Sequence, residues 1–162
     1  MAADLENTLY LEVPAGRVVI EMRPDLAPKH CAQIKELVRK GFYDGIVFHR
    51  VIEGFMVQTG CPRGNGTGGS GKNLKSEFSR EKHLRGVCSM ARAQDPHSAD
   101  SQFFIMLGDT PSLDGQYSVW GKVVSGMEYV DAIKKGSPSR NGSVTDPDKI
   151  VSFKVAADVA AA

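Results

Sequence analysis

The sequence predicts a mainly β protein, a closed eight-stranded antiparallel β-barrel with two α-helices covering its ends. Three observations point there. Short apolar stretches with a period of two recur along the chain, Gly-containing turn signals separate them, and only two segments change to a helical period. Closure is the arrangement that removes the exposed edges such a sheet would otherwise present. At 162 residues the chain fits a single domain, residues 1–162, long enough to bury a core.

Leu9, Leu11 and Val13 alternate with Tyr10 and Glu12, and after Pro14-Ala15-Gly16 the alternation resumes at Val18, Ile20 and Met22, which predicts a hairpin. From Pro28 to Lys40 the period lengthens. Cys31, Ile34, Leu37 and Val38 fall on one stripe, Pro28 suits the first turn of a helix and Gly41 suits the position just past its end. Further strands are expected over 46–52, 55–60, 86–90, 102–107, 117–124 and 149–155, which with the hairpin makes about eight. Ser125 with Glu128 three residues on resembles a capping box, and Met127, Val130 and Ile133 form the apolar stripe of a second helix that stops at Gly136. The Gly-rich and polar stretches 61–82 and 136–148 read as loops, and no internal repeat is present.

Twenty basic against nineteen acidic residues leave a formal charge of +1, which disfavours nucleic acid and anionic membranes as partners. The N-terminal residues are acidic and polar where a secretory signal needs a basic start and an apolar run. No stretch is long enough to span a bilayer, so a cytoplasmic location is expected. Cys31, Cys61 and Cys88 are odd in number and form no CxxC, which predicts buried free thiols. His30, His49, His83 and His97 have no metal-ligand spacing, so neither a metal nor a cofactor is expected. Gly66 to Lys72 satisfies GxxxxGK, yet the final Ser or Thr is missing and no helical run follows. The glycines are better read as letting a loop run close to a groove.

The densest signal lies in 48–60, Phe-His-Arg-Val-Ile-Glu-Gly-Phe-Met-Val-Gln-Thr-Gly. With period two, Phe48, Arg50 and Ile52 share one face, and after the Glu53-Gly54 turn Met56 and Gln58 share a face, with Phe55 and Val57 opposite, so that the functional residues can converge. Arg50 is a permanent cation and donor, not a group that cycles protons. His49, its neighbour on a strand, should point to the opposite face as a hydrogen-bonded histidine behind the site. Taken alone, the segment fits equally an arginine that snorkels to solvent over Phe48. Met56 and Phe104 would likewise fit ordinary barrel core.

The second segment, Ser101-Gln102-Phe103-Phe104-Ile105, decides between them. With the Phe-His-Arg stretch and Gly64-Asn65-Gly66-Thr67-Gly68-Gly69, in this order and spacing, it resembles the cyclophilin-type peptidyl-prolyl cis-trans isomerases over nearly the whole chain. The resemblance implies an enzyme that rotates X-Pro bonds in peptides and folding proteins, without cofactor and as a monomer. A non-catalytic proline-peptide binding or chaperone module using the same groove is the alternative. It implies Arg50, Gln58 and Gln102 as the catalytic residues. Phe55, Met56, Phe104, Leu113 and Tyr117 then belong to the proline pocket, Gly66 to the neighbouring groove, and Ala91, Arg92 and Ala93 to a strand edge that pairs with substrate.

Three positions depart from the pattern of many eukaryotic members: Ser112 in place of tryptophan, Tyr117 in place of histidine and Arg92 in place of the usual asparagine. Ser112 predicts weak binding of the macrocycle cyclosporin. The Arg92 side chain is expected to be a solvated charge at the rim.

Overall fold

The computed structural model of the chain describes residues 4–160. Eight strands and three helices follow in the order β1 (Thr8–Val13), β2 (Gly16–Met22), α1 (Pro28–Arg39), β3 (Arg50–Ile52), β4 (Met56–Thr59), β5 (Val87–Met90), β6 (Phe103–Met106), β7 (Val119–Ser125), α2 (Met127–Asp131), β8 (Ser152–Val155) and α3 (Ala156–Ala160). All pairings are antiparallel, in the spatial order β3-β4-β6-β5-β7-β2-β1-β8.

The expected closed barrel with two helices is not what forms. The sheet is a curled, open half-barrel with β3 and β8 at its edges, and α3 is a third helix that the sequence reading missed. Two of the expected strands are cut short, 46–52 to Arg50–Ile52 and 149–155 to Ser152–Val155. Irregular chain takes up the backbone groups that a closing ladder would have used. Val51 N–H donates to Gly142 O (2.8 Å), Gly136 N–H to Val51 O (2.9 Å) and Val144 N–H to His49 O (3.2 Å), so residues 136–144 cover the β3 edge. Near β8, Gly45 N–H donates to Ile150 O (2.8 Å) and Phe153 N–H to Asp44 Oδ1 (3.0 Å). Both edges are thus protected without closure.

The hydrophobic stripe of α1 is buried as its spacing predicts, with Ile34 at 0% exposure. Its C-terminus is a Schellman motif: Gly41 has φ +72°, and Gly41 and Phe42 N–H groups donate to Val38 O and Leu37 O, both at 3.1 Å. Ala27 offers its N-terminus no side chain, and Glu77 from a distant loop accepts instead from Lys29 and His30 N–H. The capping box expected at Ser125 does not form. Ser125 ends β7, and Gly126 in the left-handed region caps α2 where a Cβ would collide with Arg17 O.

Two apolar clusters result, one on each face of the sheet. The larger fills the concave side with Leu9, Ile20, Val57, Phe103, Ile105, Trp120 and Phe153. The smaller lies on the outer face, where Met56, Val87, Phe104, Met106 and Val119 are buried beneath Phe55, Leu113 and Tyr117. Strands β4, β5 and β6 are therefore apolar on both sides, which is why they read as nearly continuous runs. Cys31, Cys61 and Cys88 are free and buried. Burial pushes the Cys31 thiol up to about 12, whereas at Cys61 burial is outweighed by N–H groups of Asn65, Gly68, Arg63 and Gly66, which lower its pKa.

Candidate active site

Arg50 opens β3 directly opposite Gln58 of β4, and Gln58 stands opposite Phe104 of β6. The register sets Arg50, Gln58 and Phe104 side by side on one face of the sheet, the face that Met56 shares with Gln58. Phe48, expected beside Arg50, lies fully buried in the inner core, because regular strand begins only at Arg50. Phe55 reaches the outer cluster from the turn before β4, where strand alternation does not apply.

A directional chain of hydrogen bonds links the three polar residues. Arg50 Nη1 donates to Gln58 Oε1 (3.2 Å), Gln58 Nε2 to Gln102 Oε1 (3.1 Å), and Gln102 Nε2 to the carbonyls of Gly66 and Gly68, both at 2.9 Å. Each donor polarises the next, and the amide orientations are the ones this network requires. Gln102 is fixed from behind. Ser101 Oγ donates to Gly60 O (2.7 Å) and the buried Tyr43 hydroxyl donates to Ser101 O (2.8 Å).

Asn141 completes the hold on Arg50 and was missed in the sequence. Its carbonyl accepts from Arg50 Nε and its Oδ1 from Arg50 Nη2, both at 3.0 Å. Three of the five guanidinium N–H groups are then engaged and two remain. Asn141 sits at φ +57°, and a Cβ on the following Gly142 would lie 2.5 Å from Ile52 Cγ1, so the pair is seated tightly on β3. The only signal in the sequence was an Asn-Gly turn dipeptide, which carries no hint of function.

Two adjoining cavities hold all twelve residues that the sequence reading named. One of about 130 Å³ is lined by Arg50, Phe55, Met56, Gln58, Phe104, Leu113 and Tyr117, with Ala91 and Arg92 at its border. The other, of about 310 Å³, shares Gln58, Ala91 and Arg92 and is walled by Gly66, Ala93 and Gln102. Phe104 and Tyr117 pack edge to face at 5.5 Å in the first. Burial draws the Arg50 pKa down from its ordinary value, and the group remains a cation at neutral pH.

His83 was passed over because no spacing marked it. Fully buried behind the pocket, it stacks on Phe104 at 6.2 Å. Its Nδ1 and backbone N–H both meet Asp114 Oδ1 (3.2 and 2.7 Å), and its Nε2 meets Ser89 Oγ (3.0 Å). It thereby anchors the turn that carries Leu113. His49 lacks the hydrogen bond expected of it, since its Nδ1 is buried without a protein partner. Burial, and then the charge of Arg50, lower its pKa.

The glycine loop holds an anion of its own. Gly71 and Lys72 N–H groups donate to Asp100 Oδ2 (2.9 and 3.2 Å), and no helix follows. These two amides are spent on an internal carboxylate. Among the described residues no group of three or more His, Cys, Asp or Glu is placed to hold a metal, and no helix is long and apolar enough to cross a membrane.

A tethered guanidinium thus stands at the edge of a cavity lined mainly by apolar and aromatic side chains. A family model described as cyclophilin type peptidyl-prolyl cis-trans isomerase/CLD matches residues 8–155. A probable peptidyl-prolyl cis-trans isomerase of Brucella suis is 57% identical, the alignment covering 97% of this chain and 86% of that protein. Among solved structures, the cyclophilin AquaCyp293 of Hirschia baltica superposes with a TM-score of 0.87 at 28% identity, over 98% of this chain and 77% of that one. A Cryptosporidium parvum cyclophilin-type isomerase, crystallised in the presence of the dipeptide Ala-Pro, gives 0.82 at 28% identity over 91% and 98%. The chain belongs to the cyclophilin-type peptidyl-prolyl cis-trans isomerase family. Its activity is the isomerisation of X-Pro bonds.

Proposed function

We propose that Arg50 supplies the catalytic donor, that Gln58 and Gln102 orient it and grip a substrate carbonyl, and that Phe55, Met56, Phe104, Leu113 and Tyr117 hold the proline ring. Ala91, Arg92 and Ala93, with Gly66 across the groove, steady the neighbouring backbone. Rotation about X-Pro must overcome about 18–20 kcal/mol of amide resonance and needs no covalent step. As the prolyl nitrogen pyramidalises, its lone pair leaves resonance and becomes an acceptor. An N–H aimed at it stabilises the twisted state more than the planar one.

Moving a step of tens of seconds into milliseconds requires about four powers of ten, or about 5–6 kcal/mol. One charge-assisted hydrogen bond contributes about 1.5–3 kcal/mol. The apolar pocket and the backbone grip must supply the remainder by excluding water and restraining one side of the rotating bond. The observation that carries this reading is the tethering of Arg50 on three of its N–H groups with two left at the cavity.

On the same reading the chain works as one domain and as a monomer on proline-containing segments of unfolded and folding proteins in the cytoplasm. It binds cyclosporin weakly, because Ser112 is a small exposed residue beside Leu113 where tryptophan would add a wall. The test is exchange NMR on a short X-Pro peptide with wild type and Arg50→Ala. Retained peptide binding with most turnover lost is expected. Equal turnover in both would transfer the role away from Arg50.

A further inference from the structure

The Arg92 side chain, expected as a solvated charge at the rim, is folded in and held. Its guanidinium carbon lies 4.9 Å from the centre of the Tyr117 ring and 5.8 Å from that of the half-exposed Phe78. Nε and Nη2 both donate to Gln116 O (3.1 and 2.9 Å), and Nη1 donates to the carbonyls of Ala93 and Gln94 (2.9 and 3.2 Å). Every one of these acceptors is a neutral backbone carbonyl. Among the described residues Arg92 makes no ion pair.

The nearby carboxylates are engaged elsewhere. Asp100 lines the larger cavity but accepts from Ser70 Oγ, Gly71 N–H, Lys72 N–H and Gln33 Nε2. Asp114 is taken by His83, and Asp95 caps His97 N–H. A positive charge held in place by its own hydrogen bonds, with no ion-pair partner among the described residues, therefore stands on the border shared by the two cavities. Its side-chain ordering is complete before a ligand arrives, which lowers the cost of engaging one.

We propose that Arg92 is a carboxylate-recognition point for the substrate. With the proline ring in the smaller cavity, the arm of the peptide that runs into the larger one passes over Arg92. An aspartate or glutamate within two residues of the proline on that arm meets the guanidinium, and a lysine there is repelled. This rests on the proposed placement of the proline ring. It gives the enzyme a charge preference on one side of the proline only, since Arg92 stands on one side of the pocket.

The test uses peptides with a single proline and Glu, Gln or Lys placed one or two residues before or after it, with kcat/KM read by exchange NMR. A half-exposed pair is worth a few-fold for attraction and as much for repulsion, so a Glu-to-Lys ratio of about tenfold is expected at the best position at low salt. It should shrink in high salt, fall below about twofold in Arg92→Gln, and persist in part in Arg92→Lys. Each ratio is internal to one protein and so is independent of its folded fraction. A wild-type ratio near unity at all four positions would overturn the proposal, as would a preference that Arg92→Gln leaves intact. If the parent peptide is not turned over at all, the isomerase placement fails instead, and Glu-against-Lys affinity from chemical-shift titration still reports on Arg92.

Discussion

On β4 and β6 neighbouring residues go to opposite fates. Val57, Phe103 and Ile105 turn inward among fully buried side chains, whereas Met56, Phe104 and Met106 turn outward into a smaller cluster. The inner face is sealed by both halves of the sheet and by α1. The outer face is covered only by loops carrying Phe55, Leu113 and Tyr117, and these leave a cavity of about 130 Å³ with Arg50 at its edge. The same strands thus serve stability on one side and recognition on the other. Adjacent substitutions should separate the two.

The largest contrast is expected between Phe103 and Phe104. Phe103→Ala opens a void against Tyr43, Trp120 and Phe153, all within 6 Å ring to ring, and should cost about 3–5 kcal/mol in urea unfolding. Phe104→Ala borders a cavity that already exists, so it should cost clearly less while lowering kcat/KM about tenfold or more. Equal stability losses with equal loss of turnover would mean that the two faces form one cooperative body.

Next in size is Arg50. Arg50→Ala and Arg50→Lys should each lower kcat by about one to two powers of ten with little change in peptide affinity, the share that one charge-assisted hydrogen bond supplies. Lysine keeps the charge but cannot meet Gln58 and Asn141 while aiming a further N–H at the substrate. Full activity in Arg50→Lys would show that charge suffices and fork geometry does not matter. Asn141→Ala, which removes one tether only, should lose less than either.

How far the sequence discloses each face follows from how each is built. Inner positions obey periodicity, so the hairpin, α1 and the sheet's existence were legible. The residues that gather around the outer cavities, Arg50, Gln58 and Gln102 among them, were named through the resemblance, because they lie in long motifs. Closure was misjudged because it depends on backbone partners for β3 and β8, and here loop 136–144 and residues 44–45 outcompete a ladder. Asn141 and His83 escaped notice for a related reason: each acts through a residue far off in the chain, Arg50 or Asp114, and neither sits in a pattern that local spacing reveals.

Ser112 tests the rim of the outer face. It lies exposed on a short 3-10 helix, Pro111–Leu113, next to a pocket residue. A tryptophan there would add aromatic surface and an indole donor, worth about 0.5–1.5 kcal/mol for the hydrogen bond and about 1–3 kcal/mol for the contact. Ser112→Trp should therefore tighten cyclosporin by one to three powers of ten while peptide turnover changes little. Nanomolar inhibition of the wild type would place the macrocycle elsewhere on the surface.

The smallest effect expected is that of pH on rate, and it should contrast with the effect of pH on stability. The three residues proposed as catalytic do not titrate near neutrality: the two glutamines have no proton to lose and Arg50 stays charged. Burial and then the charge of Arg50 lower the His49 pKa, and burial lowers that of His83 against the opposing pull of Asp114. Turnover should be flat within about twofold from pH 6 to 8. Stability should not be. His30, His49 and His83 all have folded pKa values below the ordinary 6.5, so the unfolded chain takes up their protons first. Their contribution is complete above pH 6.5 and is lost as pH falls below it. Glu77, lowered by His30 and the first N–H groups of α1 in spite of burial, adds a second loss below its ordinary 4.5. Urea midpoints at pH 7.5, 5.5 and 4 should fall in that order while kcat/KM at pH 6 and 8 stays level. A bell-shaped rate profile would bring a histidine into the mechanism, with His83 behind Phe104 the first to examine. A midpoint that rises on acidification would mean that these imidazoles are charged in the fold, and that the His83–Asp114 contact is an ion pair beneath the pocket.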